Sequence, residues 1–343
     1  MRSFLIPLLA LLAATFCLPG HAAGFSWDNY ARKPDDWFRS ADGLRVATNI
    51  LSHQSPAGSW PKNIDTGKEP YFGDRARLQG TFDNGATTAE LRFLGRAFNV
   101  TKESRLKEAF CKGLDHILEA QYPTGGWPQY FPPGKQYHRH ITFNDDAMKR
   151  LMEFLRDVAR AKDFEFVEAE RRRKAQAAFD RGLECLLRCQ IKVNGRLTVW
   201  CAQHDEKTFE PRPGRTYELV SLSGAESAGL LQLLMDLEKP GPEVIRAVHA
   251  GARWFESARL AGIRQEKVDG DKRIVMDKSA PPLWARFYEI DTNRPIFSGR
   301  DGVKKYDIAG IEAERRNGYS WYGNWGEAVA RRYAEWKQKW PEK

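Results

Sequence analysis

Two short acidic clusters and one arginine-rich stretch are the parts of this sequence best suited to chemistry. Asp83 is followed by Asn84, and Asn144, Asp145 and Asp146 follow one another directly. A lone Asp or Asn ahead of a helix is ordinarily an N-cap for unpaired backbone N–H groups. One side chain suffices for a cap, so the additional oxygens point to a second task. Hard carboxylate and amide oxygens suit Ca2+, whose shell of roughly 6–8 ligands substrate carboxylates and water can complete. No contiguous helix-loop-helix calcium loop is present, so the ligands would come from separate segments and hold the ion weakly without substrate.

Between Pro281 and Gly302 the chain is polar and aromatic, rich in glycine, without helical period, and carries Arg286, Arg294 and Arg300. The planar guanidinium fork matches a carboxylate bidentately, so three arginines this close suit successive uronate groups. The plainer reading is surface ion pairing with Glu289, Asp291 and Asp301. Trp60, Trp127, Tyr130, Trp284, Tyr319, Trp321 and Tyr322 present aromatic faces on which sugar C–H groups stack. Packing at hairpin mouths explains most of them.

The elements that must position these residues form a repeat. Helical segments ending in Ile50-Leu51-Ser52-His53-Gln54 and Ile117-Leu118-Glu119-Ala120-Gln121 run into turns ending Gly58-Ser59-Trp60-Pro61 and Gly125-Gly126-Trp127-Pro128. A weaker third copy runs from Leu186 through Gln190 and Asn194-Gly195 to Trp200. After the first two copies, Thr81-Phe82-Asp83-Asn84 and Thr142-Phe143-Asn144-Asp145 open amphipathic helices. Apolar stripes at helical spacing include Leu91, Leu94 and Phe98; Met148, Leu151, Met152 and Leu155; and Leu106, Phe110, Leu114 and Ile117. Others continue to the C-terminus, the last holding Trp325, Val329, Trp336 and Trp340. Helical hairpins repeated in this way predict an all-α fold, an (α/α) toroid with long irregular loops at one end. The two acidic clusters would meet at that end. Strand signals are few, and Lys267 to Lys272 reads as a hairpin turn.

Residues 1–23 read as a signal peptide: Arg2, an apolar run from Phe4 to Ala14, then Ala22 and Ala23. Residues 24–343 then form a single catalytic domain, exported to the periplasm or secreted, with no membrane span and expected as a monomer. The chain carries 54 basic and 45 acidic residues, a net charge of +9, which becomes +8 (53 against 45) without Arg2. A basic exported protein suits a polyanion, and export argues against nucleic acid. The run Arg171 to Lys174, next to Glu168 and Glu170, reads as a solvated helix face. Cys111, Cys185, Cys189 and Cys201 lack zinc-site spacing, which leaves buried thiols or one long-range disulfide.

Taken together, Gly58 to Asn63, Thr81 to Thr87, Gly125 to Tyr130, Ile141 to Asp145, Trp200 to Asp205, Ser221 to Gly224, Arg286 to Tyr288 and Ser298 to Gly302 resemble the pectate lyases of polysaccharide lyase family ten. These pieces cover nearly the whole mature chain in order. The resemblance implies an α-helical toroid with a wide cleft and Ca2+-dependent β-elimination of α-1,4-polygalacturonate to 4,5-unsaturated oligogalacturonides. It places Asp83, Asn84 and Asp145 at the calcium, with Asp83 also near the substrate, and Arg300 as the base that takes the C5 proton. Arg286 and Arg215 would bind neighbouring carboxylates, and Tyr322 joins them as a substrate-binding aromatic. A guanidine base is neutral more often as pH rises, so an alkaline optimum follows. Two alternatives compete: an inverting glycoside hydrolase with Asp83 and Asp145 around a water, and a protein that only captures acidic oligosaccharides.

Overall fold

The computed structural model describes residues 24–342; the signal-peptide reading falls on residues outside that range. Ten α-helices dominate the described residues: α1 (Asp35–Arg39), α2 (Ala41–Ser52), α3 (Thr88–Thr101), α4 (Ser104–Glu119), α5 (Ala147–Arg160), α6 (Ala169–Cys189), α7 (Gly224–Met235), α8 (Pro242–Ser257), α9 (Ala313–Gly318) and α10 (Trp325–Lys339). Helices α3 and α4, α5 and α6, and α7 and α8 pack as hairpins. Along one layer α3 touches α5, α5 touches α7 and α7 touches α10; along the other α2, α4, α6 and α8 follow in sequence. This is the toroid of helical hairpins that the periodicity predicts.

Each predicted stripe is the buried side of its helix. Leu106, Phe110, Leu114 and Ile117 of α4 and Met148, Leu151, Met152 and Leu155 of α5 are all fully buried. Helix α7 is apolar on most sides, from Leu230 to Leu234, because it lies between α5, α8 and α10. A helix covered on several sides needs no polar face.

The glutamine and tryptophan of each repeat act as a clamp. Gln54 Nε2 donates to Gly58 O in its own turn (3.1 Å) and to Ala109 O in α4 (2.8 Å). Gln121 does the same with Gly125 O and Ala178 O of α6 (2.8 Å each), and Gln190 with Thr198 O (2.8 Å) and Ala247 O of α8 (3.0 Å). Each amide therefore ties the turn after one helix to the next helix of the same layer, through a turn carbonyl and a carbonyl inside the neighbouring helix. The indoles of Trp60, Trp127 and Trp200 donate back to Ile50 O, Ile117 O and Leu186 O. Trp284 donates to Phe255 O at the end of α8, a fourth copy that the sequence hides. All four indoles are buried, so none forms a sugar platform. Gly125, at φ 96°, lets its turn lie against Arg181 O, where a Cβ would sit at 2.1 Å.

Among the described residues the β content is one long hairpin, Ile263–Val268 with Asp271–Met276, a short one, Lys192–Val193 with Arg196–Leu197, and other two-residue pairings. Asp269 and Gly270 both have positive φ at the predicted turn. The basic run on α6 is only partly a solvated face. Arg171 forks Asp115 of α4 through two contacts of 2.9 Å, and Arg172 donates to the carbonyls of Val158 and Ala159 at the end of α5. The four cysteines of the described residues are free thiols, so no long-range disulfide forms in this structure.

Glu90 on α3 carries a consequence for stability. It is buried, takes one hydrogen bond from Thr66 Oγ1 at 3.0 Å, and its Oε2 has no partner among the described residues. Burial pushes its pKa up from 4.5 to about 8. The native state thus keeps a proton that the unfolded chain releases near pH 4.5. Stability from that proton is complete below pH 4.5 and lost as pH rises through about 8. Glu90→Gln is expected to raise the melting temperature at pH 9 by much more than at pH 5, the gain being on the order of a few kcal/mol. Equal effects at the two pH values in thermal melts would refute this.

Candidate active site

The two acidic turns meet. Asp83–Gly85 and Asn144–Asp146 are single 3-10 turns packed against each other where α3 and α5 begin. Asn84 (φ 53°), Asp145 (φ 51°) and Asp146 (φ 60°) are left-handed, a conformation that Asn and Asp tolerate better than other non-glycine residues. None of these side chains caps a helix: the N-cap positions of α3 and α5 are Thr87 and Asp146, and neither side chain makes a capping bond. Their oxygens are therefore not spent on capping.

Asp83 is buried. Its Oδ2 takes an ion pair from Lys62 Nζ and a hydrogen bond from Gln129 Nε2, while its buried Oδ1 has no hydrogen-bond partner among the described residues. Asn84 lies at the surface and donates to Asn63 Oδ1 at 3.1 Å. Asp145 Oδ2 accepts from Asn144 Nδ2 at 2.7 Å, and its Oδ1 accepts from Arg286 Nη2 at 2.9 Å. Burial opposes the charge on Asp145, but the Arg286 guanidinium outweighs it and holds the carboxyl below its usual range.

Arg286 is fixed from behind. It follows the Trp284–Ala285 strand, which pairs with Tyr322–Gly323, and precedes Phe287–Tyr288, which pairs with Leu222–Ser223. Its backbone N–H donates to Trp321 O at 2.7 Å. Only 7% exposed, its guanidinium bridges Asp145 and Glu226, and Ser223 holds the same Glu226 at the start of α7. Burial raises the Glu226 pKa, with Arg286 opposing the rise. Glu226 was not foreseen from the sequence, although Ser223-Gly224-Ala225-Glu226 has capping-box spacing.

A second group of side chains extends from here. Tyr319 lies with its ring 4.7 Å from the Arg286 guanidinium and 5.7 Å from that of Arg215, and its hydroxyl donates to Glu218 Oε1 at 2.8 Å. Arg215 forks Glu218 through Nε (3.0 Å) and Nη2 (2.6 Å). Burial opposes the charge on Glu218, and Arg215 more than offsets it, so the carboxyl sits below its usual range. Arg300 is exposed, reaches Glu314 at 3.1 Å, and lines one cavity of about 470 Å³ with Arg215, Tyr137, His140 and Tyr217. Asn84, Asp145 and Arg286 line another of about 590 Å³ that runs between α5, α7 and α10.

The expected residues thus fall into two linked sets, with two departures. Arg294 stacks on Tyr306, 3.9 Å from the ring centre, and lines neither cavity. Tyr322 packs against Phe297 (centroids 5.3 Å apart) and also lines neither; Tyr319, three residues earlier, holds the place between the arginines. Two of the three acids suspected of pairing with the arginines pair with lysines instead, Glu289 with Lys304 and Asp301 with Lys305.

His140, Asp205 and Glu206 lie close enough to share a cation. Arg139 already pairs with Glu206 at 2.7 Å and Arg212 with Asp205 at 3.1 Å, and His140 Nδ1 lies 3.2 Å from Glu206. In this structure the cluster is an ion-pair network, with one guanidinium on each of the two acids.

A family profile described as pectic acid lyase matches residues 54–330. This chain belongs to the pectic acid lyase family. The lyase is also similar to a solved structure described as a family 10 polysaccharide lyase from Cellvibrio cellulosa, at 35% identity and a TM-score of 0.80 over 94% of this chain and 100% of that one. A single-residue mutant of the Cellvibrio cellulosa enzyme, in complex with trigalacturonic acid, aligns at 35% identity and a TM-score of 0.80 over 93% of this chain and 99% of that one. No curated protein matches the lyase. Among its described residues no helix is long and apolar enough to cross a membrane.

Proposed function

We propose that this pectate lyase is calcium-dependent and cuts α-1,4-polygalacturonate by β-elimination with an arginine base, leaving 4,5-unsaturated oligogalacturonides. The observation that carries the reading is the meeting of two oxygen-rich turns, neither used for capping, with a buried arginine and a cavity lined by two more. The donor set fits Ca2+: Asp83, Asn84 and Asp145 offer hard oxygens, and Asp83 Oδ1 is buried without a partner among the described residues. These three residues would hold the ion. Bound there, calcium would draw electron density from a uronate carboxylate and so acidify the neighbouring C5–H.

The chain's own residues supply the rest. Arg286, anchored by Glu226, keeps positive charge beside the place where enolate charge develops, and its fixed position requires little reorganisation during reaction. Arg300 on the cavity wall is the assigned base. Arg215 is a second candidate on one specific observation: it shares the Tyr319 ring with Arg286, and its charge reaches Asp145, which places it nearer the acidic turns. Against it, burial lowers its pKa but Glu218 more than offsets this and raises it, making the neutral form scarcer. A hydrolase using Asp83 and Asp145 is disfavoured, because an inverting mechanism needs one protonated carboxyl. Asp145 is held ionised by Arg286, and Asp83 is occupied by Lys62 and Gln129.

The net charge of +9 and the leader-like pattern of residues 1–23 support action outside the cytoplasm on a polyanion. Chelation is expected to abolish turnover on polygalacturonate, calcium to restore it, and the rate to climb from neutral towards alkaline pH. Full activity in chelator, or a maximum below neutrality, would contradict the calcium and the arginine base respectively.

A further inference from the structure

We propose that Lys62 competes with calcium for Asp83 and passes to a substrate carboxylate when both ligands arrive, so that metal and uronate bind as a coupled pair. The inference rests on the calcium reading above. The two carboxylates expected at the ion, Asp83 and Asp145, are each already paired with a cation, Lys62 and Arg286. Those four charges cancel, with Glu226 sharing Arg286 as a third acid behind it, and a divalent ion entering alone would add two positive charges beside two others.

The two resident cations differ in freedom. Arg286 is buried and shared between Asp145 and Glu226, so leaving would strand a buried acid. Lys62 reaches Asp83 from outside: its side chain is 38% exposed, while that of Asp83 is 3% exposed. A lysine is a point charge on a flexible stem and can turn towards another oxygen with little loss. Asp83 is also arranged to outlast the departure. Gln129 donates to the same Oδ2 that Lys62 uses, and Oδ1 has no partner among the described residues, so a cation can be accepted without breaking the glutamine bond. The neighbouring Asn63, left-handed at φ 61°, takes a hydrogen bond from Asn84, which ties the Lys62 segment to a second expected ligand.

A uronate carboxylate entering beside calcium supplies the missing negative charge and gives Lys62 a new partner. Coupling of this kind is reciprocal: whatever sugar does to calcium affinity, calcium does to sugar affinity. Lys62 is then a positioning residue that sets the order and strength of binding.

The test is calorimetric titration of the mature protein with calcium, with and without digalacturonate, for wild type, Lys62→Met, Lys62→Gln and Asp83→Ala, with thermal melts to confirm folding. Without sugar, both Lys62 variants are expected to bind calcium at least tenfold more tightly than wild type. Digalacturonate should tighten calcium binding in wild type and do so much less in the variants, whose KM should rise severalfold. If calcium binding is lost in Asp83→Ala but unchanged or weakened in the Lys62 variants, the role of Lys62 is refuted while the calcium reading stands. If wild type binds no calcium even with digalacturonate, both fall.

Discussion

Arg286→Ala is expected to abolish turnover and to lower stability by about 3 kcal/mol, the cost typical of breaking a buried ion pair from one side. The loss arises less from the missing arginine than from what it leaves. Glu226 is buried at the start of α7, and without the guanidinium it must either stay charged without a partner or take up a proton. Burial already pushes its pKa upward, so it would take the proton. Arg286→Ala combined with Glu226→Gln should therefore recover much of the melting temperature and none of the activity. A single variant that melts like wild type would show that the pair has no structural weight. A double variant that regains turnover would remove Arg286 from the chemistry.

Arg300→Ala should behave differently, with kcat falling by a factor on the order of 10²–10⁴, the range for a lost general base, at nearly unchanged stability. Its side chain is 62% exposed and its partner Glu314 is 58% exposed, a pair of the kind that contributes little to stability. The companion Arg215→Ala decides between the two arginines on the cavity wall. With Arg300 as base, Arg215→Ala raises KM with a smaller effect on kcat, since it removes a carboxylate contact made in ground and transition states alike. The opposite pattern, kcat lost in Arg215→Ala and KM raised in Arg300→Ala, would move the base to Arg215. Both variants retaining wild-type kcat would exclude an arginine base at either position.

How much of this was legible beforehand depended on whether a residue's task is local. The Gln-Trp repeat was readable because each copy makes the same bonds, Gln121 to Gly125 and Ala178 as Gln54 to Gly58 and Ala109. The acidic turns stood out because Asp83-Asn84 and Asn144-Asp145-Asp146 exceed what a cap requires, and in the fold they cap nothing. The partners of the arginines were hidden, since Glu226 lies 60 residues from Arg286 and Glu314 pairs with Arg300 across a loop. Aromatic identity alone did not separate Tyr322 from Tyr319. Tyr322 sits in a strand beside Ala285 and turns to Phe297, whereas Tyr319 reaches Glu218, and only the folded chain distinguishes them. The fourth tryptophan clamp was invisible because Trp284 lies 29 residues beyond its acceptor Phe255, far from the spacing of 10 in the first two copies.

Elimination itself is tested most directly by following polygalacturonate breakdown with two signals in parallel, the ultraviolet absorbance of the conjugated C4–C5 double bond and the number of new reducing ends. The account predicts one unsaturated end for every reducing end, in the presence of calcium, with both signals lost in Asp83→Ala. Reducing ends appearing without the chromophore would make the reaction a hydrolysis and contradict the account.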